Sequence, residues 1–280
     1  MLLLNKKAAR GILLAAFILY GLSGLTGCSS VSDRQNLAQN LVDQAGYHPQ
    51  TIPTAFFDLY AATPTRRPTA SSLAPLTFVI EGDGYAWVDR RHPTRNPTPK
   101  NPVGLRLATG PFYGATYLAR PCQYVDDPRC TVLDWTDDRF SSDVLASYMS
   151  AIDRLKQGTD TARPVHLVGY SGGAYIALSL AAMRSDIRYV TTVAGLLDPV
   201  SWADDHRITR LRGVSSFAAL ATRSQGTYFT HWCGEKDDVI LCAQHEKWRA
   251  ALPPHVQGFH HWRTIPGATH QTIYRGVVAP

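Results

Sequence analysis

Pro164-Val165-His166-Leu167-Val168-Gly169-Tyr170-Ser171-Gly172-Gly173, followed by Ala174-Tyr175-Ile176-Ala177-Leu178-Ser179-Leu180-Ala181-Ala182-Met183, is the stretch that decides how this chain is read. Residues 165–170 form a short apolar run with the length and composition of a buried strand. Residues 172–183 are apolar on every side and long enough for a buried helix. Between them lies Gly169-Tyr170-Ser171-Gly172-Gly173, a G-x-S-x-G pentapeptide in strand-turn-helix context. So sharp a turn holds its serine in strained backbone geometry with the hydroxyl exposed, and the glycines remove side chains where strand and helix crowd together. Ser171 also stands at a helix N-terminus, where free N–H groups favour the negative charge that develops in acyl transfer. The bland alternative is a Gly-Ser turn that only joins a strand to a helix.

Outward from this unit, apolar runs at 55–60, 76–81, 116–119, 189–194 and 228–233 read as strands bounded by Gly, Pro or polar turns. Helical patterns fall at 33–44, 142–156 and 241–252. Strands alternating with helices give the α/β class, with a mostly parallel central sheet covered by helices on both faces. The pattern predicts one domain over 49–280. Residues 28–48 hold a tether and an N-terminal helix, with Leu37, Leu41 and Val42 on one face; that helix is either the domain's first or part of the tether. The Pro-rich stretch 92–102 is a stiff loop inside the domain, and no internal repeat is present.

The pentapeptide in this setting resembles the α/β-hydrolase superfamily, whose catalytic residues run Ser, then Asp or Glu, then His along the chain. The resemblance implies Ser171 as nucleophile. Gly234-Glu235-Lys236-Asp237, after strand 228–233, is similar to the turn that carries the acid and points to Asp237 rather than its neighbour Asp238. Asp198, after strand 189–194, occupies the place some members use and remains the alternative acid. Of ten histidines, His270 is the last and lies in Ile265-Pro266-Gly267-Ala268-Thr269-His270, similar to the loop after the last strand that bears the base. His260 and His261 belong to that strand or precede it. The N–H of Gly172 supplies one oxyanion donor. Glu81-Gly82-Asp83-Gly84 resembles the family's H-G-x-G loop with Glu in place of His, which makes the N–H of Asp83 the second donor. The Glu81 and Asp83 carboxylates then suggest a polar or cationic substrate group. Residues 199–226 stand where the fold often carries a small lid, with Trp202, Leu211, Phe217 and Leu220 as apolar content and Arg207, Arg210 and Arg212 as charge. Acyl chains and anionic substrates both stay open.

A narrower resemblance rests on the Glu81-Gly82-Asp83-Gly84 loop, Asn96-Pro97-Thr98-Pro99, Arg120-Pro121-Cys122-Gln123-Tyr124, and Trp135-Thr136 with Arg139-Phe140. These segments look like a group of bacterial envelope α/β-hydrolases. The expected activity is that of a serine hydrolase, carboxylesterase-like, acting on carboxylester or thioester bonds of a small molecule through an acyl-enzyme on Ser171. No cofactor is implied. A non-catalytic binding or structural lipoprotein on the same scaffold is the alternative, and the oligomeric state is left open.

The first thirty residues bear on compartment. Lys6, Lys7 and Arg10 precede an uncharged, mostly apolar run at 11–25, the order of a secretory signal and shorter than the ~20 residues of a bilayer-spanning helix. Leu25-Thr26-Gly27-Cys28 resembles the lipobox of bacterial lipoproteins, with residues 1–27 as signal peptide and Cys28 as the lipidated residue. Two or more acyl chains give stable membrane attachment. Ser29 after the cysteine resembles the outer-membrane sorting pattern, so the expected place is the cell envelope, on the outer membrane facing the periplasm.

With 28 basic and 22 acidic residues the chain carries +6, and removing the signal segment takes three positive charges and no negative ones. The remaining charges are scattered, and nucleic acid is not expected as a partner. Of five cysteines, Cys28 is taken by lipid, and four remain in an oxidising compartment. Local pairing is expected, Cys122 with Cys130 and Cys233 with Cys242, because each pair closes a loop beside a strand end. No C-x-x-C pair is present, and His245-Glu246-Lys247-Trp248-Arg249 puts Arg where a zinc ligand would stand, so no metal site is expected.

Overall fold

Strand and helix alternate along the chain as the hydrophobic pattern requires. The computed structural model describes residues 29–66, 74–89, 91–157, 162–224 and 226–279. The signal segment and Cys28 lie outside the described residues. In order, the elements are α1 (Val31–Gln44), β1 (Tyr47–Ile52), β2 (Leu59–Pro64), β3 (Leu76–Ile80), α2 (Val103–Thr109), β4 (Thr116–Leu118), α3 (Ser142–Lys156), β5 (Val165–Tyr170) and α4 (Gly172–Ala181). Then come β6 (Ile187–Val193), α5 (Pro199–His206), α6 (Phe217–Arg223), β7 (Tyr228–Gly234), α7 (Cys242–Ala250), α8 (Pro254–Gln257) and β8 (His260–Ile265). No helix among the described residues is long and apolar enough to cross a membrane.

The eight strands form one sheet in the order β1-β2-β4-β3-β5-β6-β7-β8. β1 and β2 pair antiparallel, as do β2 and β4, and every other pairing is parallel. β5 lies near the middle with all six residues buried. Successive side chains of a strand point to opposite faces, and here each face meets its own core. Leu167 joins Val144, Tyr148, Ile176, Phe217 and Trp248 on one side, while Val168 joins Ala38, Val42, Leu107, Tyr117 and Ile273 on the other. A strand apolar at every position is what a parallel sheet covered on both faces demands.

Helix α1 is docked on this second core through Ala38 and Val42, and Arg34 beside them donates to the carbonyls of Asn96 and Thr98. The compact unit starts at Val31, so the helix read as tether or first helix is packed as part of the domain. The strand expected at 55–60 lies further on, at Leu59–Pro64, because 53–58 is a bend closed by Thr54 Oγ1 donating to the carbonyl of Phe57 at 2.6 Å. The edge strand β1 is an addition to the sequence reading. In the 199–226 segment, Phe217 and Leu220 are core residues under α4, and only Trp202 of the four apolar residues reaches the cleft described below.

Chain order places the crevice. From β3 the chain moves to β4 on one side, then returns past β3 to β5 on the other. The loops leaving β3 and β5 therefore diverge at the carboxyl edge of the sheet, the position where open α/β sheets bind ligands.

Candidate active site

Ser171 caps α4 with φ 51° and ψ −120°, outside the regions ordinary side chains prefer. Two cross-links hold it there: its N–H donates to Val193 O at 3.0 Å, and its carbonyl accepts from Leu196 N at 3.0 Å. A Cβ on Gly173 would lie 2.5 Å from Glu81 O, so glycine is required where the first turn of α4 passes the end of β3. All ten residues of α4 are buried, which anchors the strained turn in packed surroundings.

His270 meets Ser171 from the loop after β8. Its Nε2 lies 3.0 Å from Ser171 Oγ and its Nδ1 2.8 Å from Asp237 Oδ2. An ionised carboxylate only accepts, so Nδ1 carries the proton and Nε2 is left to accept from the serine hydroxyl. Asp237 Oδ1 is held by the N–H groups of Val239 and Ile240, both at 2.9 Å. The loops after β7 and β8 are zipped together: Lys236 N donates to Ala268 O at 2.9 Å, Glu235 N to Ile265 O at 3.1 Å, and Gly267 N to Glu235 Oε2 at 2.7 Å. Tyr170 OH donates to His270 O at 3.1 Å, with its ring tilted against the imidazole. The Cys233–Cys242 disulfide closes the turn that bears Asp237, and Cys122–Cys130 is the other bridge, the pairing expected from sequence.

Asp198 is engaged elsewhere. Its Oδ1 accepts from Ser201 N and its Oδ2 from Phe217 N, each at 2.9 Å, which caps α5 and ties it to α6. The hydrogen bond and ion pair to His270 Nδ1 come from Asp237 and not from its neighbour Asp238.

The segments that carry the two expected oxyanion donors pack against each other. A Cβ on Gly172 would meet Asp83 Oδ1 at 2.0 Å, so the Asp83 loop rests directly on the first residue of α4. Among the described residues no acceptor takes the N–H of Asp83 or of Gly172.

Glu81 corrects the sequence reading. Its carboxylate is turned into the fold, 1 % exposed, accepting from Gly82 N at 3.0 Å, Gly104 N at 2.9 Å, Leu105 N at 3.2 Å and Tyr117 OH at 3.1 Å. It satisfies the opening N–H groups of α2, and burial pushes its pKa up against those four bonds. It does not pair with Asp83 to receive a cationic group.

No family model matches the sequence, and none of the curated proteins matches it. Solved structures do match in shape. A Thermus thermophilus protein is 19% identical with a TM-score of 0.56, over 82% of this chain and 92% of its own. An alpha-beta serine hydrolase homologue from Coxiella burnetii is 17% identical with a TM-score of 0.52, over 82% and 90%. A serine hydrolase without lid from Xanthomonas campestris is 14% identical with a TM-score of 0.51, over 81% and 86%. The chain has the α/β-hydrolase fold.

On this α/β-hydrolase scaffold the wall beside Ser171 is built from residues that sequence reasoning gave no role. Arg120 Nη1 lies 2.6 Å from Asp83 Oδ1, and Arg139 Nε lies 3.1 Å from Oδ2. Arg120 also donates through Nη2 to the carbonyl of Arg139, and both guanidinium groups lie over the Phe140 ring. Gln123 Nε2 donates to Gly82 O at 3.1 Å and fixes the turn. The signal was present: these residues lie in the segments that carry the narrower family resemblance, and the fold gathers those segments around Asp83. Asp83 and Arg139 line a cleft of about 470 Å³ that opens over Ser171 and His270, with Trp87, Trp202 and Val239 as apolar walls. Among the described residues no group of three His, Cys, Asp or Glu side chains is placed to hold a metal ion.

Proposed function

We propose that this chain is a serine hydrolase of ester-like bonds, carboxylester or thioester, anchored to the cell envelope by lipid on Cys28. The observation that carries the catalytic reading is the hydrogen-bonded series Asp237 to His270 to Ser171, at 2.8 and 3.0 Å, opening on the cleft, with the N–H groups of Asp83 and Gly172 taken by no acceptor among the described residues. In the first step Ser171 Oγ bonds to the substrate carbonyl carbon and its proton passes to His270 Nε2. The carbonyl oxygen takes the negative charge, facing the N–H groups of Asp83 and Gly172. The imidazolium then gives that proton to the departing alcohol or thiol as the carbon–leaving-group bond breaks, leaving an acyl-enzyme. Water repeats the sequence: His270 takes its proton, its oxygen bonds to the acyl carbon, and the carbon–Ser171 bond breaks with return of the proton to Oγ. Asp237 holds the imidazole tautomer throughout and stabilises its charged form.

The anchoring half of the reading is supported by the lipobox-like segment ending at Cys28 and by the two disulfides, which belong to an oxidising compartment. Attachment to the outer membrane, facing the periplasm, goes with it.

Two acid substitutions test the catalytic assignment on a panel of nitrophenyl esters graded by acyl length. Asp237→Asn should lower kcat by about 10⁴-fold, because the amide favours the wrong imidazole tautomer. Asp198→Asn should keep most of the activity and lose about 1–2 kcal/mol of stability with its two cap bonds. Equal losses of kcat in the two variants would overturn the assignment.

A further inference from the structure

The cleft is more basic than its sequence motif implies. Sequence places two acidic residues in the 81–84 loop; the fold removes one and surrounds the other. Glu81 is sealed beneath the cleft by its four hydrogen bonds, and the Asp237 carboxylate, wholly buried, is consumed by His270, Val239 and Ile240. Among the described residues that leaves the Asp83 carboxylate facing the opening, and it is flanked by two guanidinium groups. Lys100 adds a second cation to Arg139 on the cleft wall, its Nζ 3.7 Å from the centre of the Tyr85 ring and with no carboxylate in ion-pair range among the described residues. Arg139 and Lys100 against Asp83 leave an excess of positive charge on the cleft wall, and outside that wall Arg120 also pairs with Asp83.

Arg139 has capacity to spare. Its side chain is about nine-tenths buried, at 10% exposure, and it lines the cleft. Nη1 donates to Thr136 O at 2.7 Å. Nε faces Asp83 at 3.1 Å but off the line of a hydrogen bond, and Nη2 has no protein acceptor among the described residues. A buried guanidinium with unused N–H groups is a strong site for a carboxylate, because a bond between charged partners in a water-poor setting exceeds a neutral one. Asp83 sits between Arg139 and Gly172, so the guanidinium lies one carboxylate's width from the start of α4.

The geometry points to Arg139, with Lys100 on the Tyr85 ring, as a recognition site for a carboxylate carried by the substrate, so that the preferred substrates are esters or thioesters of acids bearing a second, ionised carboxyl group. This rests on the hydrolase reading above and names its substrate class. The apolar walls take the chain between the two carboxyl carbons, the reacting one at Ser171 and the free one at Arg139.

Matched esters separate this specificity from the activity itself. Mono-4-nitrophenyl glutarate and 4-nitrophenyl pentanoate share the leaving group and acyl length and differ in the terminal carboxylate; rates are taken above the enzyme-free rate. The ratio of their kcat/KM values should favour the glutarate by at least about tenfold, and raised salt should reduce it through screening of the exposed Lys100. Lys100→Met, at an exposed position, and Arg139→Gln should each lower the ratio several-fold, mainly through KM for the glutarate. Ser171-dependent hydrolysis of both esters with a ratio near one, or a ratio unmoved in Lys100→Met, would overturn the carboxylate site and leave the hydrolase reading standing. No Ser171-dependent turnover of either ester, together with no labelling by a fluorophosphonate, would overturn both.

Discussion

Ser171→Ala should lower kcat for ester hydrolysis by on the order of 10⁶-fold, about 8 kcal/mol of transition-state stabilisation, while leaving the fold unchanged. The size follows from the roles that meet at one oxygen. In the proposed mechanism Ser171 Oγ is both the atom that bonds to the acyl carbon and the donor whose proton passes to His270 Nε2, which lies 3.0 Å away. Its removal abolishes the covalent route, and what remains is water acting beside an oxyanion site. Structural cost is small because the strained backbone at φ 51° belongs to any residue with a Cβ, and alanine keeps the packing. The cross-links through Ser171 N and O are main-chain bonds and survive the change. Circular dichroism and thermal unfolding should therefore be indistinguishable from the unaltered protein, and a variant with lost activity and collapsed stability would not support the assignment.

The second large effect concerns acid. His166, His245 and His260 have pKa values lowered from 6.5 to about 4, and His231 is held well below 6.5, in each case first by burial away from water. His231 Nε2 lies 2.9 Å from His260 Nδ1, and its Nδ1 is 2.8 Å from Thr192 Oγ1. Among the described residues His260 Nε2 and His245 Nδ1 are buried without hydrogen-bond partners, and the cluster is walled by Phe217, Phe229, Trp248 and Trp262. Among the described residues a proton there meets no carboxylate apart from Asp237, acting at a distance on His245.

The sign follows from which state binds the proton. Between about pH 6.5 and about pH 4 the unfolded chain protonates these histidines and the folded protein does not, so stability falls as pH falls. Each histidine contributes a slope of up to about 1.4 kcal/mol per pH unit, and four give roughly 5. Typical domain stability is only about 5–15 kcal/mol, so cooperative unfolding is expected near pH 5. Asp186, held near 2 by Arg184 and Lys156 although burial alone would raise it, acts only at lower pH, below the ordinary carboxylate range. Urea midpoints followed by tryptophan fluorescence from pH 7 to pH 4 check this. Constant stability over that range would contradict it.

Much of the fold could be read from the chain because its central elements are buried all round. β5 and α4 are apolar at nearly every position, and no other element type fits such runs. β1 escaped for the opposite reason: Tyr-His-Pro-Gln-Thr-Ile is polar and carries Pro49, which a strand tolerates at a sheet edge. Ser171, Asp237 and His270 were legible because each sits in a short local motif after a strand. The wall of the cleft was not, since Asp83 lies 37 residues from Arg120 and Arg139 another 19 further on, and only the sheet order brings them together. Glu81 misled because its partners, Gly104 and Leu105, open a helix beyond a Pro-rich loop. A carboxylate in a cleft motif looks like a ligand group until the helix it caps is seen.

The central claim is that Ser171 is an activated nucleophile. Treatment of the purified protein with a fluorophosphonate, followed by intact mass and peptide mapping, tests it most directly. The expected result is a single phosphonyl adduct on the peptide bearing Gly169-Tyr170-Ser171-Gly172-Gly173, absent in Ser171→Ala and much slower in His270→Ala. An unmodified protein after prolonged treatment, or an adduct that persists in Ser171→Ala, would contradict it.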